Sequence, residues 1–207
     1  RQRSNPDSDV GFKGVNFYRL GTSEASPGTI VVEQGKCYVA DGRNWPSAGG
    51  LGTLVLTNST SFKISGLYPA ANLDWSWVWA STNSVFDLHQ NSAGRDKGIE
   101  PYQIWKGPFE IRGVPRLMIK TLANTPRNAD ISFVGKVSGG GFYLEGTGDM
   151  TADAGGNPHL HLMNGANDFT NGVSATLASV HLWTNGALPS VGGDLVLTNS
   201  AVHFDAA

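Results

Sequence analysis

Three of the six tryptophans alternate with smaller residues in the segment 73–80. Trp75, Trp77 and Trp79 are two residues apart, which on a β-strand places their indoles on one face. On a helix, at about 100° per residue, the same spacing would scatter them around the axis. Each indole can bury about 150–250 Å². The segment therefore predicts a strand whose tryptophan face organises either the core or a subunit interface.

The opposite face of this strand is also partly apolar, since it carries Val78 and Ala80 beside Ser76. A strand that is apolar on both faces is typical of the interior of a sheet. Three exposed indoles in a row would also favour aggregation on a chain with so few charges. We therefore favour a core position for this strand over an interface and over a sugar-stacking ladder.

The composition of the chain limits the class of protein. Its 207 residues fit one large all-β domain. Charged residues make up 15% of the chain, below the ~25% of typical soluble domains. A net charge of −2 gives no basis for electrostatic binding of nucleic acid. No apolar run approaches about 18 residues, so no membrane insertion is predicted.

The ends and the cysteine content add further expectations. The single Cys37 excludes an intrachain disulfide framework and a multi-cysteine zinc site, and its apolar surroundings favour a buried thiol over a nucleophile. Residues 1–9 are polar and include Arg1, Arg3 and Pro6, so we interpret them as a flexible linker or a processed end. The chain starts without Met, which indicates a piece of a longer polypeptide.

Residues 10–207 consist of short β-like runs separated by Gly, Pro and Asn, and we interpret them as a single all-β domain. The glycine-containing segments 34–36 and 139–141 resemble hairpin turns between neighbouring strands. No window shows a convincing 3.6-residue period. The predicted fold is many short antiparallel strands in a sandwich or squashed barrel, with little or no helix.

One internal similarity links the segments 52–60 and 193–201, which share the pattern Leu-Val-Leu-Thr-Asn-Ser. A duplicated hairpin is one interpretation. The other is that this pattern is common wherever a strand runs into a turn. Two copies do not establish a solenoid, for which several regular repeats are expected.

The usual catalytic signatures are absent from the sequence. It contains no G-x-S-x-G elbow, Walker loop, H-E-x-x-H motif or dinucleotide fingerprint. A glycosidase needs two facing carboxylates, and the sequence cannot pair any of its five glutamates. We therefore expect binding and not catalysis, with a glycan hydrolase kept as an alternative.

Two histidines alternate on one predicted strand. His159 and His161 share a face and could chelate a metal, and His181 and His203 could join them in space. The glutamate that follows His-x-His in cupins is missing, because Asn164 and its neighbours occupy that region. We expect a structural or surface role for these histidines, and we predict no metal and no cofactor.

Two polar loops are the candidates for binding a receptor or glycan. An indole can stack on a sugar face while Arg and Asn bond its hydroxyls, although Trp45 could instead pack back onto the sheet. The candidate residues of the first loop are Asp41, Arg43, Asn44 and Trp45, and those of the second are Asn164, Asn167 and Asp168.

An all-β domain of this size, with the single Cys37 and arginines at its leading edge, resembles the projecting spike domain of a small non-enveloped virus capsid, of the astrovirus kind. The resemblance covers the general character of the whole chain and no specific motif, so it assigns no functional residue. It implies a spike that is assembled in the host cytoplasm, exposed on the virion surface and joined to the rest of the capsid polypeptide. Such a spike attaches to a host-cell receptor or glycan and forms a homodimer.

Three alternatives stay open. The first is the tip of a phage tail-spike or tail-fibre, usually trimeric and often carbohydrate-binding, which the short Gly/Asn/Ser-rich strands suit equally well. The second is a carbohydrate-active enzyme or its binding module. The third is a purely structural shell or scaffold domain.

Overall fold

The fold is taken from a computed structural model, which describes residues 9–12, 28–32, 35–40, 52–57, 59–65, 76–80, 85–88, 104–121, 129–146 and 157–205. These residues form seventeen strands. They are β1 Asp9–Phe12, β2 Gly28–Val32, β3 Gly35–Ala40, β4 Gly52–Thr57, β5 Ser59–Ser65, β6 Ser76–Ala80, β7 Val85–Leu88, β8 Ile104–Trp105, β9 Phe109–Thr121, β10 Ala129–Phe133, β11 Val137–Glu145, β12 Pro158–Leu162, β13 Asp168–Phe169, β14 Val173–Thr176, β15 Ser179–Leu182, β16 Leu195–Thr198 and β17 Ala201–Phe204. The all-β character is confirmed. Within the described ranges, no helix has the length and apolarity needed to cross a membrane.

Every strand pair in the described residues is parallel, so the predicted antiparallel sandwich or squashed barrel is wrong. Each strand pairs with a strand that lies one turn of the winding chain, here called a coil, before or after it. Val173, for example, faces Leu195, which lies 22 residues later. Parallel neighbours need a long connection between them. Here strands of the same coil supply that connection, and the chain forms a β-solenoid.

The strands fall into three stacks. The first stack contains β2, β4, β6 and β13 with the beginnings of β9 and β11; the second contains β1, β3, β5, β7, β14 and β16 with the ends of β9 and β11. These two stacks make one twelve-stranded sheet. The third stack is a separate sheet of β8, β10, β12, β15 and β17. Neighbours in sequence therefore belong to different stacks and do not form hairpins.

The two predicted hairpin turns have other roles. The strands on either side of segment 34–36, β2 and β3, pair with β4 and β5 and not with each other. The glycines 139–141 lie inside the single strand β11, where the register against β9 shifts between Gly139 and Gly141. At the matching bend β9 contains Pro115 and changes partner from β6 to β7. Glycine and proline mark a corner of the coil here.

The core lies inside the coil and is rich in aromatic rings. Trp77 and Trp79 are only 2% and 1% exposed, on a strand that lies between β4 and β9. Trp75 lies outside the described residues. A chain of ring contacts continues from Trp77 to Trp105 at 4.1 Å, and from there along the coil axis. The other large buried aromatic residues are Phe109, Phe133, Phe142 and Phe169.

The Leu-Val-Leu-Thr-Asn-Ser similarity also marks a corner. In each copy a strand ends and the next begins in another stack, β4 before β5 and β16 before β17. Asn199 in the second copy has φ = 46°, and Leu177 has φ = 51° at the equivalent corner one coil earlier. The two positions are equivalent because Thr176 and Thr198, which precede them, are paired in register.

Exchanging the residues at these two corners is expected to have opposite effects on stability. Leu177→Asn should raise the free energy of unfolding by about 1 kcal/mol, because the left-handed conformation costs a leucine about 1–2 kcal/mol and asparagine tolerates it better. Asn199→Leu should lower it by a similar amount. Urea unfolding measures both. A loss of stability in Leu177→Asn would show that its side-chain contacts outweigh the backbone strain.

Candidate functional site

A stack of imidazole rings lies on the outward face of the third strand stack. Along β12 and β15 the leucines and Val180 point into the core, so the alternating histidines lie on the other face. His161, His181 and His203 face one another in register on three successive strands. The centroids of His161 and His181 are 4.2 Å apart, and those of His181 and His203 are 4.3 Å apart. The tilts between the rings are only 16° and 8°.

Burial varies along this stack. His161 and His181 are each 1% exposed, whereas His159 is half-buried and His203 is exposed. Ser132, which faces His161 on β10, is also fully buried. The face is thus closed at β10 and β12 and open to solvent at β17.

Hydrogen bonds fix the roles of ring nitrogens in His181, His159 and His161. The Asp205 carboxylate lies 2.8 Å from Nδ1 of His181, so this nitrogen carries the hydrogen and Nε2 is an acceptor. Nδ1 of His159 lies 3.2 Å from that Nε2 and donates to it. The indole Nε1–H of Trp183 donates to Nδ1 of His161 over 3.1 Å. These contacts place a hydrogen on Nδ1 of His181 and of His159 and leave Nδ1 of His161 as an acceptor.

The environment of His181 favours its neutral form. Burial is the largest cause that lowers the pKa of His181 from 6.5 to about 4, and the neighbouring His161, His159 and His203 lower it further. The hydrogen bond to Asp205 opposes this shift and raises the pKa. At neutral pH the ring is uncharged, and its Nε2 lone pair faces Nδ1 of His159.

The folded protein is expected to lose stability in mild acid. The unfolded chain binds a proton at His181 near pH 6.5, whereas the folded chain does so only near pH 4. The stability that comes from keeping His181 neutral is therefore complete above pH 6.5, falls as the pH drops, and is lost by about pH 4. The total loss in the free energy of unfolding is about 3 kcal/mol. Urea unfolding at pH 7 and pH 4.5, in the presence of a chelator, measures the change. His181→Gln should flatten the profile, whereas His203→Gln at the exposed end should not; identical profiles for wild type and His181→Gln would contradict the assignment.

The second predicted loop lies at the corner between β12 and β13. Asn164 donates from Nδ2 to the Val134 carbonyl over 2.8 Å and accepts from the Ala166 N–H. Asn167 is 7% exposed; its Oδ1 accepts from the Val137 N–H, and its Nδ2 donates to the Ala187 carbonyl. Both amides connect backbone segments of neighbouring coils.

The third predicted residue of this loop is Asp168, the first residue of β13. Asp168 is exposed and forms an ion pair with Lys136. The residues of the first predicted loop, Asp41, Arg43, Asn44 and Trp45, lie outside the described residues. Binding of a receptor or glycan by either loop stays a prediction.

Removing the Asn167 amide is expected to destabilise the fold. Asn167→Ala leaves the buried Val137 N–H and Ala187 carbonyl without this partner, which should cost about 2–3 kcal/mol. Asn164→Ala, at a half-buried position, serves as the matched control and should cost less, since water can replace its bonds. Thermal unfolding of the two variants measures the difference. Equal effects would contradict a structural role specific to Asn167.

Sequence reasoning placed His159 and His161 together but missed two polar partners of the cluster. Asp205 follows β17 and contacts His181, and Trp183 follows β15 and contacts His161, so each lies one coil after the histidine that it contacts. The only sequence feature that could have revealed these two partners is the coil length. His159, His181 and His203 recur at intervals of 22 residues, which is that length. Without the coil length this spacing has no meaning.

No protein-family model, curated protein or solved structure matches this chain. The candidate site is accordingly described by its own geometry.

Proposed function

We propose that this chain is a β-solenoid module of a virion surface protein, of the tail-spike or tail-fibre kind, which attaches the particle to an extended glycan on the host cell. The observation that carries the proposal is the outward face of the second strand stack. On β11, β14 and β16 this face presents hydroxyl side chains in register, in an arrangement that suits a linear polymer.

The outward face is built by strand alternation. Tyr143, Ser174 and Val196 form one column, and Glu145, Thr176 and Thr198 form the next. Strands in such a stack are about 4.8 Å apart, so the hydroxyls repeat at a short and regular interval. Hydroxyl groups both donate and accept hydrogen bonds, and a half-exposed tyrosine ring adds an apolar surface for a sugar.

Composition and topology support the same proposal. Only 15% of the residues are charged and the net charge is −2, which suits a neutral polymer better than a nucleic acid. Stacked coils provide extended binding surfaces that grow with the number of repeats. This topology favours a spike or fibre over a compact dimeric projection, and the proposed oligomer is accordingly a trimer, with a dimer as the alternative.

Three of the described carboxylates are held in ion pairs, which favours binding over glycan hydrolysis. Glu110 is engaged by Arg112 at 2.9 and 2.7 Å, Glu145 forms an ion pair with Lys120, and Asp168 forms one with Lys136. A glycosidase instead needs two carboxylates that face each other across a cleft, about 5–9.5 Å apart. Each of these three acids is already neutralised by a neighbour.

Glycan-array binding by the purified chain tests the proposal. Thr176→Lys places a long charged side chain in the middle of the proposed face and should weaken binding at least tenfold. Ser190→Lys, at an exposed position between β15 and β16, adds the same charge elsewhere and should leave binding unchanged. Absence of glycan binding by the wild type, or equal losses in both variants, would overturn the proposal. Release of reducing sugar from a bound glycan would replace attachment by hydrolysis, and sedimentation distinguishes the trimer from the dimer.

A further inference from the structure

We infer that His159, His161 and His181 form a binding site for a divalent transition-metal ion such as Zn²⁺. One ligand nitrogen from each ring lies within 4.8 Å of the other two. The three rings come from two adjacent parallel strands, β12 and β15, which fix the backbone on which they stand. The inference is independent of the proposed receptor attachment.

One of the three distances between ligand nitrogens already matches the distance expected around a bound zinc ion. A tetrahedral zinc with Zn–N bonds of about 2.0–2.1 Å holds its ligand nitrogens about 3.3 Å apart. Nδ1 of His159 and Nε2 of His181 are already 3.2 Å apart. The ligand nitrogen of His161 must move closer to the other two. The nearly parallel rings must also turn so that their lone pairs converge on the ion. Rotation about the broad χ2 torsion of histidine supplies that adjustment.

Asp205 orients one of the ligands. Its carboxylate holds the hydrogen of His181 on Nδ1, which leaves the Nε2 lone pair directed toward His159. This carboxylate–histidine arrangement is the usual support of a zinc-binding imidazole. His159 then shifts its own hydrogen from Nδ1 to Nε2, so that the neutral ring binds the ion through Nδ1 and no net proton is lost.

The donor set defines the class of ion. Three imidazole nitrogens suit zinc, copper, nickel or iron, whereas Mg²⁺ and Ca²⁺ prefer oxygen ligands. Two of the rings are buried and the third, His159, is half-buried, which gives the ion a route from solvent. Three protein ligands leave one tetrahedral position for water or for another ligand.

Trp183 is a natural reporter of binding. Its indole N–H donates to Nδ1 of His161 over 3.1 Å. An ion that binds Nδ1 displaces the indole, and an ion that binds Nε2 moves the hydrogen to Nδ1 and removes the acceptor. Either way, the environment of the indole changes when His161 is a ligand. Trp183→Phe removes the signal and serves as the optical control.

Titration calorimetry of untagged, chelator-treated protein with ZnCl₂ tests the inference. We expect one ion per chain with micromolar or tighter affinity, a change in tryptophan fluorescence that Trp183→Phe abolishes, and no binding of MgCl₂. His159→Ala, at the least buried of the three rings, should weaken zinc binding at least tenfold, and Asp205→Asn about tenfold. His203→Ala, at the exposed end of the same stack, should stay within threefold of the wild type.

Thermal unfolding provides a second readout. At the same zinc concentration, the melting temperature of the wild type and of His203→Ala should rise more than that of His159→Ala, because an ion that binds only the folded state stabilises it according to its affinity. The inference fails if the wild type binds no zinc, or binds it with a dissociation constant above about 1 mM. It also fails if folded His159→Ala and His161→Ala both bind zinc as tightly as the wild type, since the ion would then lie elsewhere.

Discussion

Phe133→Ala is expected to lower the free energy of unfolding by about 3–5 kcal/mol. The ring is fully buried and lies 4.9 Å from Phe109, 5.4 Å from Phe142 and 6.2 Å from Trp105. These partners belong to different walls of the coil, since Phe109 opens β9 in the first stack, Phe142 lies in the second and Trp105 in the third. Removing the ring therefore leaves a cavity at the point where all three stacks meet.

The chain provides a matched control for this substitution. Phe204 continues the same column of residues three coils further on, after Leu162 and Leu182, but is 78% exposed. Phe204→Ala should cost less than about 1 kcal/mol, because little apolar area returns to water. Urea unfolding of both variants tests the difference. Equal losses would show that the aromatic column does not stabilise the coil through burial.

Strand content could be predicted from the sequence, but strand direction could not. The alternation of Trp77 and Trp79 with smaller residues specifies a strand and its buried face, and both rings are buried. Alternation is the same in parallel and antiparallel strands, and the usual sign of parallel pairing is a helix between strands. In this chain strands of other stacks replace those helices, so that sign is missing.

The glycine-rich segments also contributed to the wrong prediction of antiparallel hairpins. A glycine triplet such as 139–141 marks a place where the backbone needs room or unusual torsions, which holds for a hairpin and for a solenoid corner alike. The repeat itself is hard to see because the coils differ in length. Val173 pairs with Leu195, 22 residues later, whereas Phe142 pairs with Val173 after a longer insertion.

The candidate site was predictable only within one strand. The period of two places His159 and His161 on one face, but their meeting with His181 and Asp205 depends on register between coils. Asn167 illustrates the opposite difficulty. A buried amide that bonds two backbone groups has the same sequence context as an amide that bonds a sugar, and only its 7% exposure and its partners tell the two apart.

The second large effect is expected at Gly141, where neighbouring coils come into close contact. A Cβ at this position would lie 2.0 Å from the Gly172 carbonyl oxygen and 2.8 Å from the Asn171 carbonyl carbon. Both atoms are backbone and belong to the following coil, so no side-chain rotation can relieve the overlap. The coils must separate, which strains the adjacent hydrogen bond from the Phe142 N–H to the Gly172 carbonyl, now 2.9 Å long.

Gly141→Ala should therefore cost about 4 kcal/mol or more, a loss at the upper end of single substitutions. Gly113→Ala is the control, because a Cβ there has Ala80 O at 4.0 Å as its nearest neighbour, and its cost of about 1 kcal/mol comes from its φ of +82° alone. Thermal and urea unfolding of the two variants separate the crowding between coils from backbone strain. If Gly141→Ala were no less stable than Gly113→Ala, the close contact of the coils at this corner would be disproved, since backbone strain affects only the control.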